Sequence, residues 1–266
     1  MICELTFVKL EEAIDEVNAW VENATKGLIK EGFPKDYAKR NDLAIVLANA
    51  LYFKGTWAKP FEPWKTFHEK FYTLDGESVK VPYMQDSYRT CAHGSFKGFK
   101  ILMLPYKSGG AMEQSFSMYL FLPDEKDGLY DLQRQLCSDP TLFSLQFELE
   151  DVRIGNLMIP KFKFNYGFEV TKVMEKMGVM ISTKDDEMLE DIGDSAAIED
   201  MKTFHTCCIE VNENGTEAAA LTFCLRGGGL KPPDEFIADH PFVFMIREDS
   251  SQTPVFVGVV VNPLLE

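Results

Sequence analysis

The sequence predicts an α+β fold in a single domain spanning residues 1–266. Three observations carry this. Short runs rich in Val, Ile, Phe and Tyr recur along the chain, several of them alternating apolar with polar residues, as strands with one covered face do. The main helical signals lie in three stretches, residues 11–30, 127–137 and 167–178. No internal repeat and no linker divides the chain, so strands and interspersed helices share one fold.

In chain order, residues 11–30 place Ile14, Val17, Val21 and Leu28 near helical spacing with acids opposite, which predicts an amphipathic helix ending near Gly27 or Lys30. Residues 42–55 are predominantly apolar and rich in β-formers, the pattern of a strand buried on both faces. Alternation returns in residues 69–84, where Asp75-Gly76 marks a hairpin turn. Residues 98–106 and 115–123 read as two strands joined by a hairpin loop. A short helix follows at 127–137, a strand at 156–166 and a helix at 167–178 closed by Gly178. The acidic stretch 183–200 reads as a surface segment with a helical turn. Residues 201–211, 235–248 and 253–265 complete the strand pattern.

Composition sets the outer limits on function. Hydrophobic content of 45% with 12% aromatics is that of a globular protein. A net charge of −15 argues against a nucleic-acid partner, which needs clustered Lys and Arg. No apolar run reaches the roughly 20 residues that span a bilayer, so no membrane partner is expected. The first ten residues lack a basic n-region and a small-residue cleavage site, which predicts a cytoplasmic protein. The six cysteines form no C-x-x-C pair and read as free thiols, with Cys207 and Cys208 on opposite faces of a strand. The four histidines show no metal-ligand spacing, so neither metal nor cofactor is expected.

Chemistry of its own is not indicated. No nucleophile elbow, P-loop or dinucleotide fingerprint occurs. Asp239-His240 has the form of one side of a triad, yet no Ser or Cys stands in a matching motif, and a His before Pro241 reads as structural. His205, on an apolar strand, reads as a hydrogen-bonded core residue. The sequons at Asn23 and Asn214 read as unmodified without a secretory signal. The chain is not expected to be an enzyme.

One stretch, residues 211–233, differs from the rest. Ala218, Ala219 and Ala220 bury little apolar area, and Gly227-Gly228-Gly229 leaves the backbone free. Taken as a strand, it sets Thr216, Ala218, Ala220 and Thr222 on one small, uncharged face, able to enter between existing strands without overpacking. Beyond it, Leu225-Arg226-Gly227 presents a basic residue on a flexible backbone, a bond of the kind a trypsin-like protease cuts. A structureless connection of this length is more often functional than incidental.

Residues 211–222 (VNENGTEAAALT), 236–248 (FIADHPFVFMIRE) and 255–263 (VFVGVVVNP) resemble the hinge, reactive-centre loop and C-terminal strands of the serpins. The resemblance extends upstream through VNAWVENATKGLIKE, LANALYFKGTW, FSMYLFLPDEKDGL and IPKFKFNYGFEV, covers essentially the whole chain, and is closest to the plant serpin-Z proteins. It implies the serpin fold, with a mixed central sheet, further sheets and surrounding helices. The chain then corresponds to the C-terminal two thirds of that fold, so the surface of residues 43–53 lacks covering partners. It also implies inhibition of serine-type endopeptidases. The loop, residues 215–236, is bait: the protease forms an acyl-enzyme, and the cleaved loop inserts as a new strand into the central sheet, the strand-addition mode that serpins exemplify.

The resemblance also implies residue roles. Glu213, Gly215, Thr216, Glu217, Ala218, Ala219 and Ala220 match the hinge. Residues 42–53 and 202–211 match the strands between which the loop inserts, and Asn49 and His205 the polar residues where those strands part. The candidate reactive bond is Arg226-Gly227, with a trypsin-like serine protease as partner and a cysteine protease as a second class. Arg226 lies only 13 residues beyond Glu213, about four short of the family spacing, or roughly 13 Å of strand. Counting from the hinge alone points instead to Leu230-Lys231, where Pro232 hinders cleavage after Lys231. The alternative function is a non-inhibitory serpin relative, cleaved without trapping the protease. Related proteins also occur outside cells.

Overall fold

The computed structural model describes residues 10–39, 45–108, 114–138, 147–179, 201–215 and 234–265. Helix α1 is Leu10–Ala24, followed by strands β1 (Ile45–Phe53), β2 (Phe67–Tyr72), β3 (Ser78–Phe96), β4 (Phe99–Pro105) and β5 (Phe116–Pro123). Then come α2 (Leu129–Ser138), β6 (Glu150–Pro160), β7 (Phe162–Glu169), α3 (Val170–Lys176), β8 (Met201–Val211), β9 (Glu235–Ile237), β10 (Phe242–Glu248) and β11 (Pro254–Val260). The chain forms two compact units, Met1–Phe53 with Phe164–Ile209, and Lys54–Lys163 with Glu210–Glu266.

The first unit is built on a three-stranded sheet ordered β1-β8-β7. Helix α1 lies on one face because Ile14, Val17 and Val21 recur at helical spacing. Ile14 packs with Phe33 and Phe204, and Val21 with Ile29 and Cys208. Phe33 meets Phe204 edge-to-face at 4.5 Å, a favoured arrangement for aromatic pairs. Asn18 holds the returning chain by accepting from Phe33 N at 2.8 Å and donating Nδ2 to Phe33 O at 3.0 Å. The helix ends at Ala24, earlier than the sequence suggested. There Thr25 Oγ1 donates to Val21 O at 2.7 Å, and Gly27 takes up φ +80°, so the chain turns where the amphipathic spacing still runs on.

Strand β1 corrects one expectation. Its apolar run was expected to be buried on both faces, yet Leu47 is 50% and Leu51 36% exposed. Only the face bearing Ala50 and Tyr52 packs against the α1 side. On the other face Leu47 and Leu51 stay partly exposed.

The second unit contains an eight-stranded sheet ordered β11-β10-β5-β4-β3-β6-β9, with β2 also paired to β3. The two expected hairpins are present. β2 and β3 pair from Phe67↔Tyr83 to Tyr72↔Ser78, and Gly76 of their turn adopts φ +82°, which an asparagine- or glycine-type position allows. β4 and β5 pair from Phe99↔Pro123 to Pro105↔Ser117. Alternate residues Phe99, Ile101, Tyr119, Phe121, Val243 and Met245 form one apolar face. Leu129, Leu132 and Leu136 of α2 cover it at i, i+3 and i+7 spacing. Sequence patterning missed the second half of β3, a 19-residue strand that serves β2, β4 and β6 along its length. The single strand expected at 156–166 is two, β6 and β7, separated at Lys161.

Candidate functional site

Two groups of the residues singled out by sequence lie among the described ones, one in each unit. In the first unit, β1 and β8 pair in parallel from Ile45↔Met201 to Phe53↔Ile209. Asn49 and His205 stand opposite each other in that ladder, and their side chains meet at 3.1 Å between Nδ2 and Nδ1. With the Asn49 amide donating, Nδ1 of His205 accepts. The Phe168 ring packs edge-on to the imidazole at 5.6 Å. His205 is therefore hydrogen-bonded, as expected, but it is half-buried on the partly exposed face rather than in the core. The strand alternation sends Phe204 and Thr206 inward and His205 outward.

In the second unit the chain leaving β8 turns tightly through residues 212–215, and several hydrogen bonds and an ion pair hold that turn. Glu213 Oε1 accepts from Thr66 Oγ1 at 2.6 Å and from Lys161 Nζ at 3.1 Å, and Oε2 faces Lys161 Nζ at 2.9 Å. Its backbone oxygen accepts from Phe61 N at 2.7 Å. Burial opposes ionisation of this carboxyl, but the bonds from Thr66 and Lys161 outweigh it and hold its pKa below the ordinary glutamate value. Trp57, almost wholly buried, donates Nε1 to Asn212 O and its backbone N to Asn214 O, each at 2.9 Å. Its indole stacks on Tyr106 with centroids 4.4 Å apart. Gly215 closes the turn at φ +89°, where a Cβ would lie 2.4 Å from Gly55 O and 2.5 Å from Trp57 N. Only glycine fits there.

Thus Glu213 and Gly215 are anchored in the second unit, and Asn49 and His205 are joined in the first. Thr216, Glu217, Ala218, Ala219, Ala220, Arg226 and Gly227 lie outside the described residues. At the far end, Glu235 and Phe236, which the sequence reading included in the loop, belong to β9, paired in parallel with β6 at Asn156↔Glu235 and Leu157↔Phe236.

Sequence reasoning missed Thr66, Lys161 and Trp57, the partners that fix the turn. Lys161 lies 52 residues from Glu213 and Thr66 147, and no local pattern joins them. The one available signal was Lys161 itself, a cation set with Lys163 into an otherwise apolar run.

The Asp239-His240 pair is structural. His240 is buried, with Nδ1 2.7 Å from Asp239 Oδ1 and Nε2 2.9 Å from Pro123 O. Both ring nitrogens are engaged, which leaves neither for a nucleophile. Among the described residues no group of three His, Cys, Asp or Glu could hold a metal, and no helix is long and apolar enough to cross a membrane. Cys91, Cys137, Cys207 and Cys208 are free thiols.

Comparison with known proteins follows the same lines. The profile of the family described as Serpin (serine protease inhibitor) matches residues 2–263. Serpin-ZX of Hordeum vulgare is 40% identical over 264 residues, covering 97% of this chain and 66% of that protein. Serpin-ZXA of Oryza sativa subsp. japonica is 40% identical over 266 residues, covering 97% and 65%. The native stressed conformation of Arabidopsis AtSerpin1 superposes with a TM-score of 0.82 at 36% identity, covering 97% of this chain and 67% of that one. Uncleaved ovalbumin gives a TM-score of 0.72 at 26% identity, covering 95% and 66%. The chain spans just under two thirds of the length of these curated relatives.

Proposed function

The chain belongs to the serpin family, with its α+β fold, and on that premise we propose that it inhibits serine-type endopeptidases as a suicide substrate. Residues 216–233 are the bait, and Arg226-Gly227 is the bond presented to a trypsin-like protease. The observation that carries this reading is the turn at residues 212–215. Glu213, Trp57 and the φ of Gly215 fasten the chain immediately before the bait. A fastened start is what a loop needs if it is to be offered to a protease rather than trail freely. The parallel pair β1 and β8, joined side to side at Asn49 and His205, supplies two strands between which a strand of opposite direction could be received. After attack by the protease serine on the Arg226 carbonyl, the acyl-enzyme would be carried with the inserting strand.

One observation favours the non-inhibitory reading. Arg226 stands only 13 residues beyond Glu213, and each residue missing from an inserted strand removes about 3.3 Å of travel. Incubation with a trypsin-like protease followed by a denaturing gel separates the two. A band at the summed mass, lost in Arg226→Ala, supports trapping. Cleavage at Arg226 with the protease left active overturns inhibition. Cleavage after Lys231 instead would relocate the bait bond.

A further inference from the structure

β9 is a weak element by its own bonds. Its three residues pair with β6 through Asn156↔Glu235, Leu157↔Phe236 and Met158↔Ile237, at the edge of the sheet. Two flanking bonds extend the contact, Gly155 N to Asp234 O at 2.7 Å and Ala238 N to Met158 O at 2.9 Å. So short an edge ladder depends on side-chain burial to stay in place. That burial is supplied by Phe236, which is fully enclosed.

Against Phe236 stands His93 of β3, with ring centroids 6.2 Å apart and planes at 83°. His93 is only 7% exposed, and its Nε2 is sealed from solvent without a hydrogen-bond partner. A neutral imidazole leaves at most one polar position unsatisfied there. Adding a proton puts a positive charge into the same apolar space, with no acceptor at Nε2. The cost falls on the contact that seats Phe236.

We propose that His93 is a proton-operated latch for β9: protonation unseats Phe236 and loosens the strand that follows residues 216–233. The charged groups around it pull in both directions. Asp234, just before β9, favours the imidazolium, and Lys100 of β4 opposes it. Glu150 stands opposite His93 in the β6 ladder and is exposed, and Leu102 opposite in β4 is apolar. On β3 itself, Cys91 is a buried thiol whose pKa is raised by burial. Burial is the largest influence on His93, and its pKa lies below the ordinary histidine value. Stability from the neutral ring is therefore complete above the unfolded pKa of about 6.5 and declines as pH falls through it.

The loosening stands apart from the inhibitor reading; only its consequence for the loop rests on that reading. Hydrogen exchange at the Gly155 and Ala238 amides of the full 266-residue chain reads it directly. Corrected for intrinsic exchange, both amides should exchange severalfold faster at about pH 5.5 than at about pH 7.5, the direction set by a folded pKa below the ordinary histidine value. Amides of the β4–β5 pair should show no such change, and His93→Phe should abolish it. A flat profile, or the same dependence in His93→Phe, overturns the latch. If that variant does not fold, the ring proton titration of His93 in the unaltered chain decides: a pKa at or above about 6.5 overturns it. Neither result touches the covalent-trapping assay.

Discussion

Replacing Gly215 by alanine tests the turn before the bait, because two separate costs converge on that position. The first is conformational, since φ +89° is a region that costs an L-residue about 1–2 kcal/mol. The second is steric. The new Cβ would lie 2.4 Å from Gly55 O and 2.5 Å from Trp57 N, both backbone atoms that no rotamer change can move. Relieving that overlap pulls Trp57 away from Asn214 O, and overpacking of this kind costs about 1–3 kcal/mol more. Together Gly215→Ala should destabilise by about 2–5 kcal/mol. Gly76 supplies the control, with a similar φ of +82° and nothing within 4 Å of its Cβ position. Gly76→Ala should therefore carry only the conformational part, about 1–2 kcal/mol. Denaturant unfolding of both variants, followed by far-ultraviolet circular dichroism, measures the difference. Equal losses would refute the argument that backbone contact fixes Gly215.

Two further substitutions follow from the same geometry. Glu213→Gln keeps the shape but removes the charge that Thr66 and Lys161 stabilise, and should cost about 1–2 kcal/mol at neutral pH, given the partial exposure of Lys161. Because the folded pKa of Glu213 is depressed, its contribution is complete above the unfolded value of about 4.3 and is lost as pH falls below it. The gap between the two proteins in urea unfolding should close in acid and stay constant from about pH 6 to pH 8. Leu47→Glu, at the half-exposed position of β1, should change stability by no more than about 0.5 kcal/mol. A strand buried on both faces would lose several times that, so the same unfolding measurement tests the one-sided packing of β1.

What the sequence could and could not reveal follows from the range of each interaction. Periodicity located α1 and α2 because each buries one face, and burial writes its spacing into the chain, whereas β4 and β5 stood out as apolar runs buried on both faces. β1 shows the limit of that logic. The run Ile45–Phe53 is apolar apart from Asn49, and composition records what a strand is suited to meet, not what covers it here. His205 was placed in the core for the same reason, although the alternation of Phe204 and Thr206 around it already assigns it the opposite face. At the turn, resemblance drew attention to Glu213 and Gly215, but their physical necessity comes from Trp57 and Lys161, brought in by folding. The latch residue His93 left no mark in the sequence at all. It is one polar residue in a long strand, and its isolation exists only once Phe236 closes over it. A residue acts as a switch here because folding gives it a cost that its neighbours cannot relieve, and such costs are visible only in three dimensions.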